Sequence, residues 1–300
     1  MTLWIPVTLA AALFQTVRFM LQKSLSAVKL SPAGATFARF LFSAPFILCG
    51  LGVYLWLTGR SLPDLSPTFF IFAVIGGTAQ ILATICVVAL FKQRNFAVGI
   101  TFKKTEVIQT AIVGLVILGD RISIGGLGAI LLGLTAVLIL SKTPDSDGVW
   151  WRHLTNRASQ LGLGSGVLFA FSAVSYRGAS LELIDSEPAF RAAVTLSVVV
   201  TFQMLSMALW LMWKDRKELR AVWASKGTGL FVGLTSMGGS FCWFWAFTLQ
   251  NAAYVKALGQ VELLFSLLAS LLFFRENITR REIAGIGLLT LSILLLVLAI

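Results

Sequence analysis

The sequence predicts an all-α integral membrane protein whose ten transmembrane helices form two inverted five-helix repeats. Three observations predict it. Apolar runs of about twenty residues recur along the chain, each the length a helix needs to cross roughly 30 Å of hydrocarbon. Only 12% of the 300 residues are charged, 57% are hydrophobic and the mean hydropathy is +0.88, against roughly 25% charged and 45–50% apolar in soluble domains. A constant shift of 156 positions also lays the second half of the chain on the first, charged positions included. A membrane admits only helices or closed barrels, and barrel strands would read as alternating ten-residue segments, which are absent here.

The first repeat, residues 1–141, holds spans 3–22, 33–57, 68–91, 96–118 and 122–140. Its amino terminus lacks the basic stretch of a signal peptide, so the first span is expected to be retained. Span two follows Ser31-Pro32 and ends at the turn-forming stretch Gly59-Arg60-Ser61-Leu62-Pro63-Asp64. A linker, residues 142–159, contains Pro144-Asp145-Ser146-Asp147-Gly148. The second repeat, residues 160–300, holds spans 160–180, 188–212, 228–249, 252–274 and 282–300. The shift pairs Pro32 with Pro188, Gly77 with Gly233, Asn95 with Asn251, Glu106 with Glu262 and Asp120 with Glu276. Five helices per repeat is an odd number, so the second copy enters from the opposite side. Such inverted halves can rock about a site near the midplane.

The net charge of +11 is not a nucleic-acid footprint, because the 24 Lys and Arg are spread over short loops rather than along one basic stripe. On the predicted topology fifteen of them fall in odd-numbered loops and five, Arg60, Arg121, Arg177, Arg191 and Lys256, in even ones. The positive-inside rule then puts the odd loops in the cytoplasm and both termini outside. Cys49, Cys86 and Cys242 all lie in apolar runs without motif spacing, which indicates neither disulfides nor a zinc site. There is no Walker-type loop, and the single histidine, His153, lies in the linker. Nucleotide hydrolysis, haem ligation and a Ser–His intramembrane hydrolase are therefore disfavoured, and no cofactor or metal is expected.

Charges inside spans are the functional candidates, since each costs roughly 2.5–3.5 kcal/mol at the bilayer centre on insertion scales. Twelve residues separate Glu106 from Leu118, about 18 Å of helix, too short to span alone. The group Lys103-Lys104-Thr105-Glu106 must therefore enter the membrane region. Glu262 stands fourteen residues before Glu276, as Glu106 does before Asp120. Glu106 is either neutralised by Lys103 at i, i+3 or lines a polar cavity that meets substrate; Glu262, with no cation one turn away, reads as cavity-lining. One of Lys103 and Lys104 is expected to snorkel to headgroups, as is Arg18, while Arg39 sits two turns into span two. Gln15, Gln80, Gln109, Gln203 and Gln260 suit interhelical hydrogen bonds or a polar site. Trp243 and Tyr254 belong either to an interfacial aromatic belt or to a pocket wall.

This arrangement resembles the ten-helix EamA-type transporters of the drug/metabolite transporter superfamily. The resemblance is carried by Ser31-Pro32 with Ala38-Arg39-Phe40, and by the duplicated Glu fourteen residues before an acidic residue: Glu106 to Gly119-Asp120-Arg121 and Glu262 to Arg275-Glu276-Asn277. Where family members commonly have Pro after each of these Glu residues, this chain has Val107 and Leu263. The resemblance implies export of amino acids, other metabolites or drugs across a bacterial inner membrane, from a central cavity between spans 1–4 and 6–9. It also implies cytoplasmic termini, opposite to the charge count. The expected substrate-binding set is Glu106, Glu262, Lys103, Lys104, Arg39, Gln109, Gln260, Trp243 and Tyr254, and acidic with basic groups suggest a small zwitterion. Partners are then a small-molecule solute and the lipid bilayer, with monomer and homodimer both open. A non-transporting assembly or receptor subunit is the alternative; a lipid enzyme is less favoured because it needs a nucleophile–base pair in the spans.

Overall fold

The computed structural model describes residues 3–28, 30–91, 102–140, 157–184, 187–265 and 280–299. The start of the fourth predicted span, the end of the ninth, Glu276 and most of the linker lie outside these residues. Every regular element described is a helix: α1 (Trp4–Val28), α2 (Pro32–Thr58), α3 (Pro67–Leu90), α4 (Glu106–Leu118), α5 (Ile124–Leu140), α6 (Arg157–Leu181), α7 (Pro188–Lys214), α8 (Arg216–Ala224), α9 (Lys226–Leu249), α10 (Ala252–Leu258) and α11 (Arg280–Leu298). Among the described residues six helices are long and apolar enough to cross a membrane, in α1, α2, α3, α6, α7 and α9. Glu106–Leu118, Ile124–Leu140 and Ile283–Leu298 are shorter apolar helices.

Local chemistry sets where these helices start and stop. Ser31 and Ser66 each cap the following helix by accepting a hydrogen bond, from Gly34 N and Phe69 N, and each is followed by Pro at the first helical position. Gly59 and Gly119 end α2 and α4 in the left-handed conformation that favours glycine. Nine-residue α8 was not foreseen, because Arg216–Ala224 is too polar to register as a span. Asp215 caps it by accepting from Lys217 N and Glu218 N. The Glu218 carboxylate in turn accepts from Ser31 N at 2.7 Å, at the positive end of α2.

The polarity of the molecule is inside out relative to a soluble protein. Ile124 is 92% exposed, Trp213 84% and Trp56 82%, whereas Lys103, Lys104 and Glu106 are buried. Apolar side chains facing outward suit lipid, in which only the interior can host charge. Helix α1 runs along α9, α3 along α6, and α5 along α11; α2 packs on both α9 and α7, and α4 on α6 and α10. Close approach depends on the two glycines matched by the sequence shift. A Cβ at Gly77 of α3 would stand 2.8 Å from Phe202 of α7, and one at Gly233 of α9 would stand 2.4 Å from the carbonyl oxygen of Phe42 in α2.

Candidate functional site

Two interruptions of helix place the acidic residues. Residues 104–105 form a turn, so α4 begins at Glu106 itself. In the second half α10 is capped by the Asn251 side chain, lasts only to Leu258, and passes through a 3-10 turn at Gly259–Val261 before Glu262. Both breaks occur without proline, on the amino-terminal side of each glutamate. Gly259 has a steric role as well, because a Cβ there would come within 2.4 Å of the Trp243 ring.

Around these breaks the helices assemble a buried charge cluster. Lys104 Nζ donates to Glu262 Oε1, and Gln15 Nε2 of α1 donates to Glu262 Oε2 at 2.5 Å. Gln15 Oε1 accepts in turn from Trp243 Nε1 at 3.1 Å. Glu106 is held more loosely, with Lys103 Nζ at 3.5 Å from Oε2 and Lys256 Nζ at 3.7 Å from Oε1. Both lysines also rest on aromatic faces: Lys103 lies 5.3 Å and Lys256 5.4 Å from the centre of Phe169, and Lys256 is 5.1 Å from that of Trp243. Arg18 donates to Gln22 Oε1 at 2.9 Å. Arg39 donates to the hydroxyls of Thr84 and Ser240, both at 3.2 Å.

The cluster borders a cavity of about 30 Å³ whose wall includes Arg18, Arg39, Tyr176, Ser240, Trp243 and Lys256. A second void of about 10 Å³ shares Arg39 and Ser240 with it. It also shares Ile47 and Met237 with an apolar cleft of about 350 Å³ between α2, α7 and α9. The inner space has room for a water or two. Metabolite pockets are commonly about 300–1,000 Å³, so this cavity, as the described residues bound it, is too small for a solute.

One end of the bundle is fastened by polar contacts. Arg177 of α6 clamps Asp120, at 3.0 Å from Nε, and also donates to the carbonyls of Phe247 and Gln250 at 2.8 and 2.9 Å. Ser180 and Thr248 hydroxyls touch, and Arg191 Nε donates to Ser180 O at 2.7 Å. Farther out Ser66 donates to Glu182, and Arg60 pairs with Glu187, whose carboxylate raises the guanidinium pKa above its ordinary value.

Of the residues expected from sequence, Glu106, Glu262, Lys103 and Lys104 come together. Arg39 faces the adjoining cavity, and Trp243 joins through Gln15. Gln260 is buried beside the cluster, its Nε2 3.5 Å from Lys256 O. Gln109 instead donates to Thr105 Oγ1 in the turn before its own helix, and Tyr254 accepts from Ser123 N at 2.9 Å, tying α10 to the start of α5. Three expectations are corrected. Neither Lys103 nor Lys104 snorkels; each is 3% exposed. Arg18 is buried rather than an interfacial anchor, because Gln22 and the Phe19 ring receive its guanidinium. Lys256, counted with the loop cations, is the second counter-ion of Glu106. Its position one turn inside the ninth predicted span was the available signal.

Comparison with known proteins agrees with this architecture. Residues 157–298 match the EamA-like transporter family. That match covers 142 of the 300 residues, and over it the chain is similar to the EamA-like family, part of the drug/metabolite transporter superfamily. No curated protein matches the chain. A solved structure described only as "Crystal structure of protein" superposes with a TM-score of 0.70 at 12% identity, covering 98% of this chain and 97% of the other. That likeness concerns the fold alone. The EamA-like match and the six long apolar helices among the described residues support a multi-pass membrane protein of transporter type with a charge-lined interior.

Proposed function

We propose that this EamA-like protein is a secondary transporter that exports a small metabolite across a bacterial inner membrane by alternating access. The observation that carries this reading is the buried cluster of Glu106, Glu262, Lys103, Lys104 and Lys256, where helices of both halves meet beside a cavity too small for solute. A permanent structural core would gain little from such groups, since replacing buried ion pairs by apolar side chains is often neutral or stabilising. A site that must release its contents has reason to keep them.

The same reading takes the chain as ten membrane helices in two inverted repeats, 1–141 and 160–300, joined by the linker 142–159. Helix pairing supports it. Exchanging each helix for its counterpart 156 positions along turns the α1–α9 contact into α6–α3, while α2–α7 and α5–α11 map onto themselves. The breaks before Glu106 and Glu262 recur at the same shift. In this scheme the contacts of Arg177, Ser180 and Thr248 close one end and part when it opens. The voids past Ile47 and Met237 mark a path from the apolar cleft to Arg39.

Flux in proteoliposomes tests the site: Glu106→Gln and Glu262→Gln are each expected to lower it at least tenfold, and unchanged flux in both would remove their assigned roles. Direction is read by overexpressing the protein and asking which toxic metabolites or amino-acid analogues cells then tolerate. Carboxy-terminal reporter fusions decide between the orientation favoured by the loop charges and the one usual in the family.

A further inference from the structure

Among the described residues the charges of the buried site do not balance. Five cations, Arg18, Arg39, Lys103, Lys104 and Lys256, surround two carboxylates, Glu106 and Glu262, and all seven are at most 9% exposed. The lysines are engaged with the glutamates. A lysine can also shed its proton when burial demands it, whereas a guanidinium stays charged. Arg39 is therefore the telling group. Its hydrogen bonds go to two neutral hydroxyls, Thr84 and Ser240, and its plane lies over the neutral Phe40 ring. Arg18 donates to a neutral amide, Gln22, rests on Phe19 and feels the Glu262 carboxylate, which Lys104 already pairs. Neutral partners spread such a charge without cancelling it, and a buried unmatched charge persists only where something offsets it. Both guanidiniums face the same central cavity, with Lys256 on its wall.

Building on the transporter reading, we infer that the solute is a small organic anion whose carboxylate or phosphate is received by Arg39, with Arg18 and Lys256 completing the positive lining. This departs from the zwitterion suggested by residue types alone, because both acids already have lysine partners and the excess is positive. Thr84 and Ser240 are positioning residues that aim the guanidinium. A planar guanidinium presents paired N–H groups that match an oxyanion. The repeat did not foretell this chemistry: the shift places Thr195 at the counterpart of Arg39 and Val174 at that of Arg18.

The test uses the full chain in proteoliposomes loaded with a small-molecule cell extract supplemented with succinate, glycerol 3-phosphate, alanine and tetraethylammonium. Mass spectrometry identifies what leaves faster than from protein-free vesicles, and a chloride electrode follows inorganic anion. Efflux restricted to organic solutes with net negative charge at pH 7 is expected, its chemistry separating carboxylate from phosphate. Arg39→Gln should slow that efflux at least tenfold, and Arg39→Lys should retain part of it. Efflux confined to zwitterions, cations or chloride would overturn the inference while leaving the transporter reading intact. So would anion efflux indifferent to Arg39→Gln. If no solute of any class leaves, the transporter reading fails and the anion assignment fails with it. Should Arg39→Gln not fold, the charge class of the wild-type efflux decides.

Discussion

Among the described residues Glu106 has two lysines within 4 Å, and that redundancy makes its energetics testable. At an effective dielectric constant near 20, a unit charge pair at 3.5 Å is worth about 4.7 kcal/mol, and one at 3.7 Å about 4.5 kcal/mol. Lys103 and Lys256 are thus near-equivalent partners. Lys103→Met removes one attraction together with the cost of burying that ammonium, and leaves Glu106 paired with Lys256. The expected net loss is about 1 kcal/mol, and Lys256→Met should behave alike. Removing both leaves the carboxylate only the weaker attraction of Lys104, and a buried charge robbed of its close partners costs about 3–5 kcal/mol. The double variant should therefore exceed the sum of the singles by about 1–3 kcal/mol. Adding Glu106→Gln to it should restore much of the loss. The assay is reversible unfolding in mixed detergent–SDS micelles, run as a double-mutant cycle. Additivity within about 0.5 kcal/mol would refute the shared-partner geometry.

Other expectations follow from single contacts. Gly259→Ala forces a methyl onto the Trp243 ring and should cost about 1–3 kcal/mol as overpacking, with Gly259→Leu worse; no loss on the same unfolding assay would mean that the ring yields freely. In a background lacking the three native cysteines, Ser180→Cys with Thr248→Cys should cross-link α6 to α9 on oxidation, stopping flux until reductant is added. Unchanged flux in the cross-linked protein would show that this end does not open. Arg177→Gln, which strips Asp120 and two carbonyls of their donor, should destabilise the protein by about 1.5–3 kcal/mol. Met237→Trp should obstruct the way from the apolar cleft to Arg39 and lower flux severalfold with the fold retained by size-exclusion chromatography; undiminished flux would rule that way out.

The amino-acid sequence by itself determined that this chain is helical and membrane-embedded, because hydrophobic length is a one-dimensional property: twenty apolar residues in a row have one stable use. It also singled out Glu106, Glu262, Lys103 and Lys104, since a charge deep in such a run is conspicuous wherever the helix later packs. Residues near predicted span ends were misjudged for the complementary reason. Arg18, Lys256 and Arg177 can either reach for water or turn inward, and hydropathy is indifferent to which. Only tertiary structure decides, because the inward choice needs a partner distant in sequence: Glu106 for Lys256, Asp120 and the Phe247 and Gln250 carbonyls for Arg177. Tyr254 shows the converse, an aromatic suited to a pocket wall that packing turns toward Ser123. The sign of the site likewise belongs to the fold. Counting charges along the chain yields acids and bases together, whereas pairing them in space uses the lysines on the glutamates and leaves two guanidiniums facing the cavity.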